Sequence, residues 1–365
     1  MLNFSIFKLK MIKIPNNKEE YSSNKFNTTQ YKFMSDSPIV WMFSGQGSQY
    51  FNMGKMLYNK NITFRYWMKK LDIISIKYIG QSIIKILYNN EFSETKLFNQ
   101  TLYTHPALFM FQYAMAKTLL SQDFKIPDIL FGASLGEFIA AAFANITEVE
   151  ESLFDIIKQA FLFEFYCNNG AMILIIDDIN NSYINSIFYD KYQYELAAIN
   201  FDRCFVISGL YNKITKIIKF LKKKNITYQI LPVSTAFHSS QIDIVKNKFN
   251  LIFKNRIINK STIPIISCAY LSINKLNNIN FFSGDYWWNV IRNPIQFSKA
   301  IMDFKKKYPK AIYIDLSPSG NMGTFVKYNL CIEKRNRVIQ IIDPFNKDLI
   351  NLDLARKKLK ILINS

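Results

Sequence analysis

The sequence predicts an α/β fold in which a large domain with a parallel sheet is interrupted by a smaller inserted α+β subdomain. Three observations carry this. Short apolar runs such as Ile39–Phe43 and Ile129–Phe131 each lead into a glycine-containing turn and then into residues at helical spacing. Between residues 171 and 233 the texture changes to short strands in quick succession. Beyond that stretch, helix and strand alternate again.

Residues 1–37 are polar, rich in Asn and Lys and without periodicity, and read as a poorly ordered extension. The large domain is expected over 38–166 and 234–345. Its first strand, Ile39–Phe43, runs into the turn Ser44-Gly45-Gln46-Gly47-Ser48-Gln49, and a helix is expected over Met53–Lys70. Pro106–Leu120 has apolar residues at helical spacing and reads as a buried helix. Ile129–Phe131 is a strand, Gly132–Gly136 a tight turn, Glu137–Asn145 an Ala-rich helix, and Val149–Tyr166 a second helix.

The subdomain is expected over 167–233. Ala171–Ile176 reads as a strand, Tyr183–Tyr189 as a helix, Glu195–Asn200 and Cys204–Gly209 as strands, Asn212–Lys223 as a helix and Thr227–Val233 as a strand. That order is ferredoxin-like. The remainder reads as helix Ile242–Phe253, strand Ile263–Cys268, mainly helix over Tyr286–Lys307 and strand Ala311–Leu316. Residues 346–365 form a basic C-terminal helix with its apolar positions at Leu352–Leu362.

Composition narrows the function classes. With 365 residues, 49% hydrophobic and 16% aromatic, the chain can bury a large core. No apolar run reaches the ~18–20 residues of a membrane-spanning helix; Ile173–Ile176 is broken by Asp177 and Asp178. Cys167, Cys204, Cys268 and Cys331 show no CxxC spacing, which fits a reducing compartment and argues against structural zinc. The first residues lack an apolar secretory core and a cleavage site, so a cytoplasmic protein is expected, with no membrane partner. The formal charge is +19, but its lysines are spread along the chain with only short clusters such as Lys222–Lys224 and Lys305–Lys307. Richness in Ile, Asn, Lys, Phe and Tyr reads as drift in an AT-rich genome rather than a nucleic-acid surface. A basic face that steers an acidic partner is the alternative.

Gly132-Ala133-Ser134-Leu135-Gly136 fits G-x-S-x-G between a strand and a helix. Glycines on both sides allow a sharp turn with a strained central residue, so the Ser134 hydroxyl stands clear of the backbone. The next N–H, of Leu135, lies at a helix N-terminus and can donate to a developing oxyanion. Alone, the motif fits a catalytic elbow and a simple strand-to-helix turn equally well.

Further segments resemble those of the malonyl-CoA:ACP transacylases and polyketide synthase acyltransferase domains. Gly45-Gln46-Gly47-Ser48-Gln49 resembles their GQGSQ, and Gly132–Glu137 their GHSLGE. Ala236-Phe237-His238-Ser239 resembles the segment with their catalytic histidine. Asn293-Pro294-Ile295-Gln296-Phe297 resembles NPVxF, and Asp315-Leu316-Ser317-Pro318-Ser319-Gly320 resembles E-x-GPG. The order and spacing follow the family from about Pro38 to Ile342. The resemblance implies a large α/β-hydrolase-like acyltransferase domain with an inserted ferredoxin-like subdomain. It implies Ser134 as nucleophile, His238 as general base, and the N–H groups of Gln46 and Leu135 as oxyanion hole. A carbonyl in or near Asn293–Gln296 would orient the imidazole, and Asn200 would line the pocket from the subdomain.

The departures from the family are informative. Relatives that take malonyl groups carry an arginine 25 residues after the serine, and here that position is Gln159. Arginine pairs a buried carboxylate through two charge-assisted bonds. Glutamine brings no charge, and leaving a malonyl carboxylate unpaired there would cost ~3–5 kcal/mol, or about 100-fold or more in selection. Lys158 is adjacent but turned ~100° away on a helix; a local register shift would be needed to bring it in. Ala133 stands where the family usually has His, and His105 where Gln is common; His105 is either a pocket residue that places a water or a polar residue at a helix start.

An intact Ser–His dyad without the arginine resembles the acyl hydrolases of trans-acyltransferase polyketide pathways of pederin type. The resemblance implies hydrolysis of uncharged acyl groups from acyl carrier proteins, without metal or redox cofactor; the phosphopantetheine arrives on the substrate. The alternatives are a malonyl- or other acyl-CoA:ACP acyltransferase, or an idle scaffold. The partner is then an acyl carrier protein or acyl-CoA, and the protein is expected to be a monomer.

Overall fold

The computed structural model describes residues 36–89, 97–180, 193–254, 256–270, 284–345 and 347–364. Most of the expected extension and the expected helix Tyr183–Tyr189 lie outside the described residues. Strand β1 (Ile39–Phe43) is buried at every position, as a strand covered on both faces requires. The helix expected over Met53–Lys70 is broken into α1 (Lys55–Lys60) and α2 (Ile62–Ile79). Asn61 makes the break: its backbone is extended and its side chain accepts the Phe64 N–H, capping α2. The short α3 (Ile83–Leu87) follows.

Helix α4 (Thr101–Ser121) begins a turn before Pro106. Its Thr101 N–H is received by Glu164 Oε2 at 2.7 Å. Pro106 therefore lies inside the helix and forfeits one backbone bond, in a segment buried from Thr104 to Ala116. Next come β2 (Ile129–Gly132), α5 (Leu135–Phe143) and α6 (Val149–Tyr166).

The subdomain comprises β3 (Gly170–Ile176), β4 (Glu195–Phe201), β5 (Cys204–Leu210), α7 (Tyr211–Lys223) and β6 (Thr227–Ile230). A 3-10 turn at Ser240–Val245 leads into α8 (Lys246–Phe253), and β7 (Ile265–Ser267) follows. The helix expected over Tyr286–Lys307 is two helices, α9 (Gly284–Arg292) and α10 (Phe297–Lys307). Pro294 separates them, since proline also biases its predecessor, Asn293, away from helical geometry. The chain ends with β8 (Ile312–Asp315), α11 (Asn321–Asn329), β9 (Val338–Gln340) and α12 (Asp348–Ile363).

Among the described residues the large sheet runs β7-β2-β1-β8-β9, all parallel. The chain steps from β1 outward through β2 to β7, then crosses to β8 and β9. The direction reverses between β1 and β8, and such a switch opens a crevice at the carboxyl ends of the strands. The second sheet is antiparallel in the order β4-β5-β3-β6. Side chains alternate across it: Ala171, Ile173 and Ile175 pack on Ile214, Ile217 and Leu221 of α7, while Met172, Leu174 and Ile176 face the crevice.

Two seams fix the subdomain to the large sheet. Gly170 N–H donates to Ser234 O at 2.8 Å, beside a bridge between Asn169 and Thr235. Ile295 N–H donates to Ala197 O at 2.8 Å, and Ile199 N–H to Ile295 O at 2.9 Å, tying β4 to the α9–α10 connection.

Helix α5 lands on the end of β1 with no room to spare. A Cβ on Gly136 would sit 1.9 Å from Phe43 O, and one on Gly132 would sit 2.5 Å from Glu137 Cα. Gly136→Ala is therefore expected to cost ~3 kcal/mol or more by overpacking against backbone. In thermal unfolding followed by circular dichroism this is a drop of roughly 4 °C or more in Tm for a chain of this size; an unchanged Tm would show that α5 is not seated so closely.

Candidate active site

Ser134 joins β2 to α5 with φ 54° and ψ −123°, a conformation that costs a non-glycine residue ~1–3 kcal/mol. His238 also has a positive φ, 58°. It follows the seam at Thr235, and its N–H is held by Ile291 O at 3.1 Å. The two side chains meet: His238 Nε2 lies 2.9 Å from Ser134 Oγ. Its Nδ1 lies 2.7 Å from Asn293 O. A carbonyl oxygen only accepts, so Nδ1 carries the proton and Nε2 presents its lone pair to the serine hydroxyl.

Burial pushes the His238 pKa down to about 4; the Asn293 carbonyl pulls it back up, and the Arg292 charge adds to the lowering. The imidazole is neutral at neutral pH, as a base awaiting a serine proton requires. Arg292 itself is engaged by Asp243 at 2.8 Å and Glu195 at 3.3 Å.

The turn after β1 lies against the elbow. A Cβ on Gly45 would be 3.0 Å from Ser134 Cβ and 3.6 Å from Leu135 N. Leu135 is the first residue of α5, so its N–H has no carbonyl one turn back within the helix. Gln46 follows Gly45, and its side chain is fixed: Nε2 donates to Thr104 Oγ1 at 2.8 Å, and Oε1 receives His105 Nε2–H at 3.0 Å.

Ser134 and His238 open into a cavity of about 610 Å³ between the two sheets. Gln46, His105, Leu135, Gln159 and Asn200 line it too, so most residues singled out in the sequence converge here. Among the described residues, no Lys, Arg, Asp or Glu lines it. Gln159 is fully buried, and neither of its amide atoms has a protein partner among the described residues. The same holds for His105 Nδ1; each such orphan costs about 1–3 kcal/mol unless something else pairs it. Lys158 does not take the place of an arginine: its Nζ lies 4.2 Å from the centre of the Phe154 ring. The neighbouring Arg256 donates to Asp155 at 2.7 Å.

Gln296 does not orient the imidazole. Its N–H donates to Cys268 O at 3.0 Å and its carbonyl receives Ala300 N–H, because it occupies the cap of α10; the orienting carbonyl is that of Asn293. The structure also gives Glu137 a clear part. Its buried carboxylate receives Ser267 Oγ at 3.0 Å, Cys268 N–H at 2.9 Å and Tyr286 Oη at 2.7 Å. It thus ties the helix behind the serine to β7 and α9. Asp315 does similar work after β8, receiving the Ser317 and Gly323 N–H groups at 2.8 and 2.6 Å.

A parallel α/β sheet with a serine at a strained elbow, a neutral histidine on its hydroxyl and a small antiparallel sheet over the crevice define an acyltransferase-fold protein. A family profile described as an acyl transferase domain matches residues 40–356, and the chain belongs to that family. It is 38% identical over 320 residues to the polyketide biosynthesis acyltransferase homolog PksD of Bacillus subtilis, covering 87% of this chain and 95% of that one. It is 36% identical over 317 residues to the corresponding homolog BaeD of Bacillus velezensis, with the same coverage, 87% and 95%. Among solved structures, a loading acyltransferase of the avermectin polyketide synthase superposes with TM-score 0.78 at 17% identity, covering 88% of this chain and 99% of that one. The malonyl CoA-acyl carrier protein transacylase of Coxiella burnetii gives TM-score 0.73 at 18% identity, covering 89% and 98%. These likenesses are of fold.

A fluorophosphonate probe is expected to label Ser134 alone, and His238→Ala to slow labelling by about 100-fold or more. Because the folded pKa of His238 is lowered to about 4, the labelling rate should hold steady as pH falls through 6.5. Its acid limb should centre near 4; a limb centred at 6.5 would show an exposed, unperturbed imidazole. Burial also lowers the His105 pKa to about 3. Both histidines are lowered on folding, so their contribution to stability is full above pH 6.5 and drains away as pH falls toward 4 for His238 and toward 3 for His105.

Proposed function

We propose that this protein is an acyl hydrolase of polyketide biosynthesis that releases uncharged acyl groups from phosphopantetheinyl acyl carrier proteins. Ser134 Oγ attacks the thioester carbonyl while His238 Nε2 takes its proton, and the oxyanion sits on the Leu135 and Gln46 N–H groups. Collapse expels the pantetheine thiol, protonated by His238, and leaves the acyl group on Ser134. His238 then takes a proton from water, whose oxygen attacks the ester; the free acid departs and the proton returns to Ser134. Only protons and an acyl group move, so the scheme needs no metal or redox cofactor.

The observation that carries this reading is the absence of a fixed charge among the described residues lining the cavity, with Gln159 buried there. A guest that brought its own carboxylate would remain an uncompensated anion. The names of the Bacillus relatives support a setting in polyketide biosynthesis. No described helix is long and apolar enough to cross a membrane, and the cytoplasm, where carrier proteins are loaded, is the proposed location.

Malonyl-, acetyl- and butyryl-loaded carrier proteins, followed by mass spectrometry of Ser134 and of free acid, test the reading. Acetyl and butyryl are expected to be released, with malonyl acylation slower by about 100-fold or more. Gln159→Arg is expected to move the malonyl-to-acetyl ratio up by about the same factor. Rapid, stable malonylation of the wild-type serine without hydrolysis would return the protein to the transferases.

A further inference from the structure

The base depends on a main-chain carbonyl, and that carbonyl sits in a short connection. Asn293 O receives the His238 Nδ1 proton at 2.7 Å. The connection is fixed on both sides. Before it, Asn293 N–H donates to Asn289 O at 3.0 Å at the end of α9, and Ile291 O receives His238 N–H at 3.1 Å. After it, Gln296 N–H donates to Cys268 O at 3.0 Å. Both paths lead to one side chain. Tyr286, in the first turn of α9, donates its hydroxyl to Glu137 Oε2 at 2.7 Å. Cys268 N–H donates to Glu137 Oε1 at 2.9 Å, and Ser267 Oγ to the same oxygen at 3.0 Å.

Glu137 also reaches the nucleophile. Its N–H donates to Ser134 O at 2.9 Å, and a Cβ on Gly132 would meet its Cα at 2.5 Å. The residue is 1% exposed, and its three donors are neutral. A side chain present only to fill the core would be apolar, since burying a carboxyl costs desolvation that packing alone does not return. Burial raises the Glu137 pKa to about 7 against the pull of those donors. In its protonated form Oε2–H can donate to the Tyr286 hydroxyl, which accepts as well as donates, so the tie holds in both states.

We propose that Glu137 is a positioning residue: it holds the serine turn and the Asn293 carbonyl in one frame, and so keeps the His238 proton on Nδ1 and the lone pair of Nε2 on Ser134. An imidazole released from that carbonyl can carry its proton on Nε2, where it no longer accepts from the serine. This rests on the acylation step proposed above, and it is independent of the acyl group and of whether the acyl-enzyme is hydrolysed.

The test reads two quantities in the wild type, Glu137→Ala, Glu137→Gln and Tyr286→Phe. One is the second-order rate at which a fluorophosphonate labels Ser134. The other is the imidazole nitrogen NMR spectrum of isotope-labelled histidine, which reports the tautomer; the chain has two histidines, and His238→Ala assigns them. Glu137→Ala is expected to slow labelling by about 100-fold and to show both tautomers at His238. Glu137→Gln is expected to stay within about threefold of the wild type, because its amide oxygen accepts from Ser267 and Cys268 while its NH2 donates to Tyr286. Tyr286→Phe removes one donor and is expected to slow labelling about tenfold. The proposal is overturned if folded Glu137→Ala labels at the wild-type rate, if it slows while His238 keeps its proton on Nδ1 alone, or if Glu137→Gln is as slow as Glu137→Ala. Should Glu137→Ala fail to fold by circular dichroism, Tyr286→Phe decides: a wild-type rate and a single tautomer overturn the proposal, and the slower rate with mixed tautomers upholds it. Labelling needs neither a carrier protein nor release of acid. A failed brace therefore leaves the hydrolase reading standing, and a wild type that releases no acid leaves the brace standing.

Discussion

The structure turns on two residues held in backbone conformations that side chains resist. Ser134 at φ 54° and His238 at φ 58° face each other across 2.9 Å. Each conformation is unfavourable by itself, and each is imposed by surroundings that leave no alternative. The serine turn is fixed by Gly132 and Gly136, which let α5 sit on Phe43 and the β2 strand end. The histidine is fixed by its own N–H on Ile291 and its ring on Asn293. A hydroxyl and an imidazole at that distance need a large sheet and a crossing seam, because neither local segment would hold its geometry alone.

That dependence explains the run Asn293–Phe297. Asn293 offers its carbonyl to the imidazole, Pro294 stops α9 there, and Ile295 pairs with β4 of the subdomain. Gln296 then starts α10, and Phe297 packs on Phe131 at 5.2 Å and on Phe325 at 5.8 Å. Five consecutive residues join histidine, subdomain and large sheet. A shift in the subdomain is therefore felt at His238, and the cavity between the two sheets is coupled to the residue that faces the Ser134 hydroxyl.

How much of this was legible in the sequence depended on how local the cause was. The strand Ile39–Phe43, the helix Val149–Tyr166 and the elbow at Ser134 follow from periodicity and glycine spacing, and the structure has them there. The break at Asn61 is not legible in the sequence, because a capping side chain is indistinguishable from any helix-surface Asn until the chain turns. The expected Tyr286–Lys307 helix divides at Pro294, a helix stop that is visible in the sequence. Glu137 stood in a recognisable motif, yet its partners Ser267, Cys268 and Tyr286 lie 130 to 149 residues away, which no spacing rule reveals. The family resemblance points to a carbonyl within Asn293–Gln296 without saying which; capping of α10 engages Gln296 and leaves Asn293 O to the imidazole.

Net charge is the clearest case of a global property that does not reach the site. The chain carries +19, yet no cation is among the described residues lining the cavity. The nearby candidates are engaged elsewhere: Arg256 by Asp155, Arg292 by Glu195 and Asp243, and Lys158 over the Phe154 ring. A charge some residues away in a wet, screened setting cannot stand in for one inside a dry pocket, because its field is damped by solvent and by its own partner. Selectivity at such a site is set by what is buried within hydrogen-bonding reach of the guest. Here the arginine position is held by Gln159, whose amide carries no charge with which to compensate a buried carboxylate.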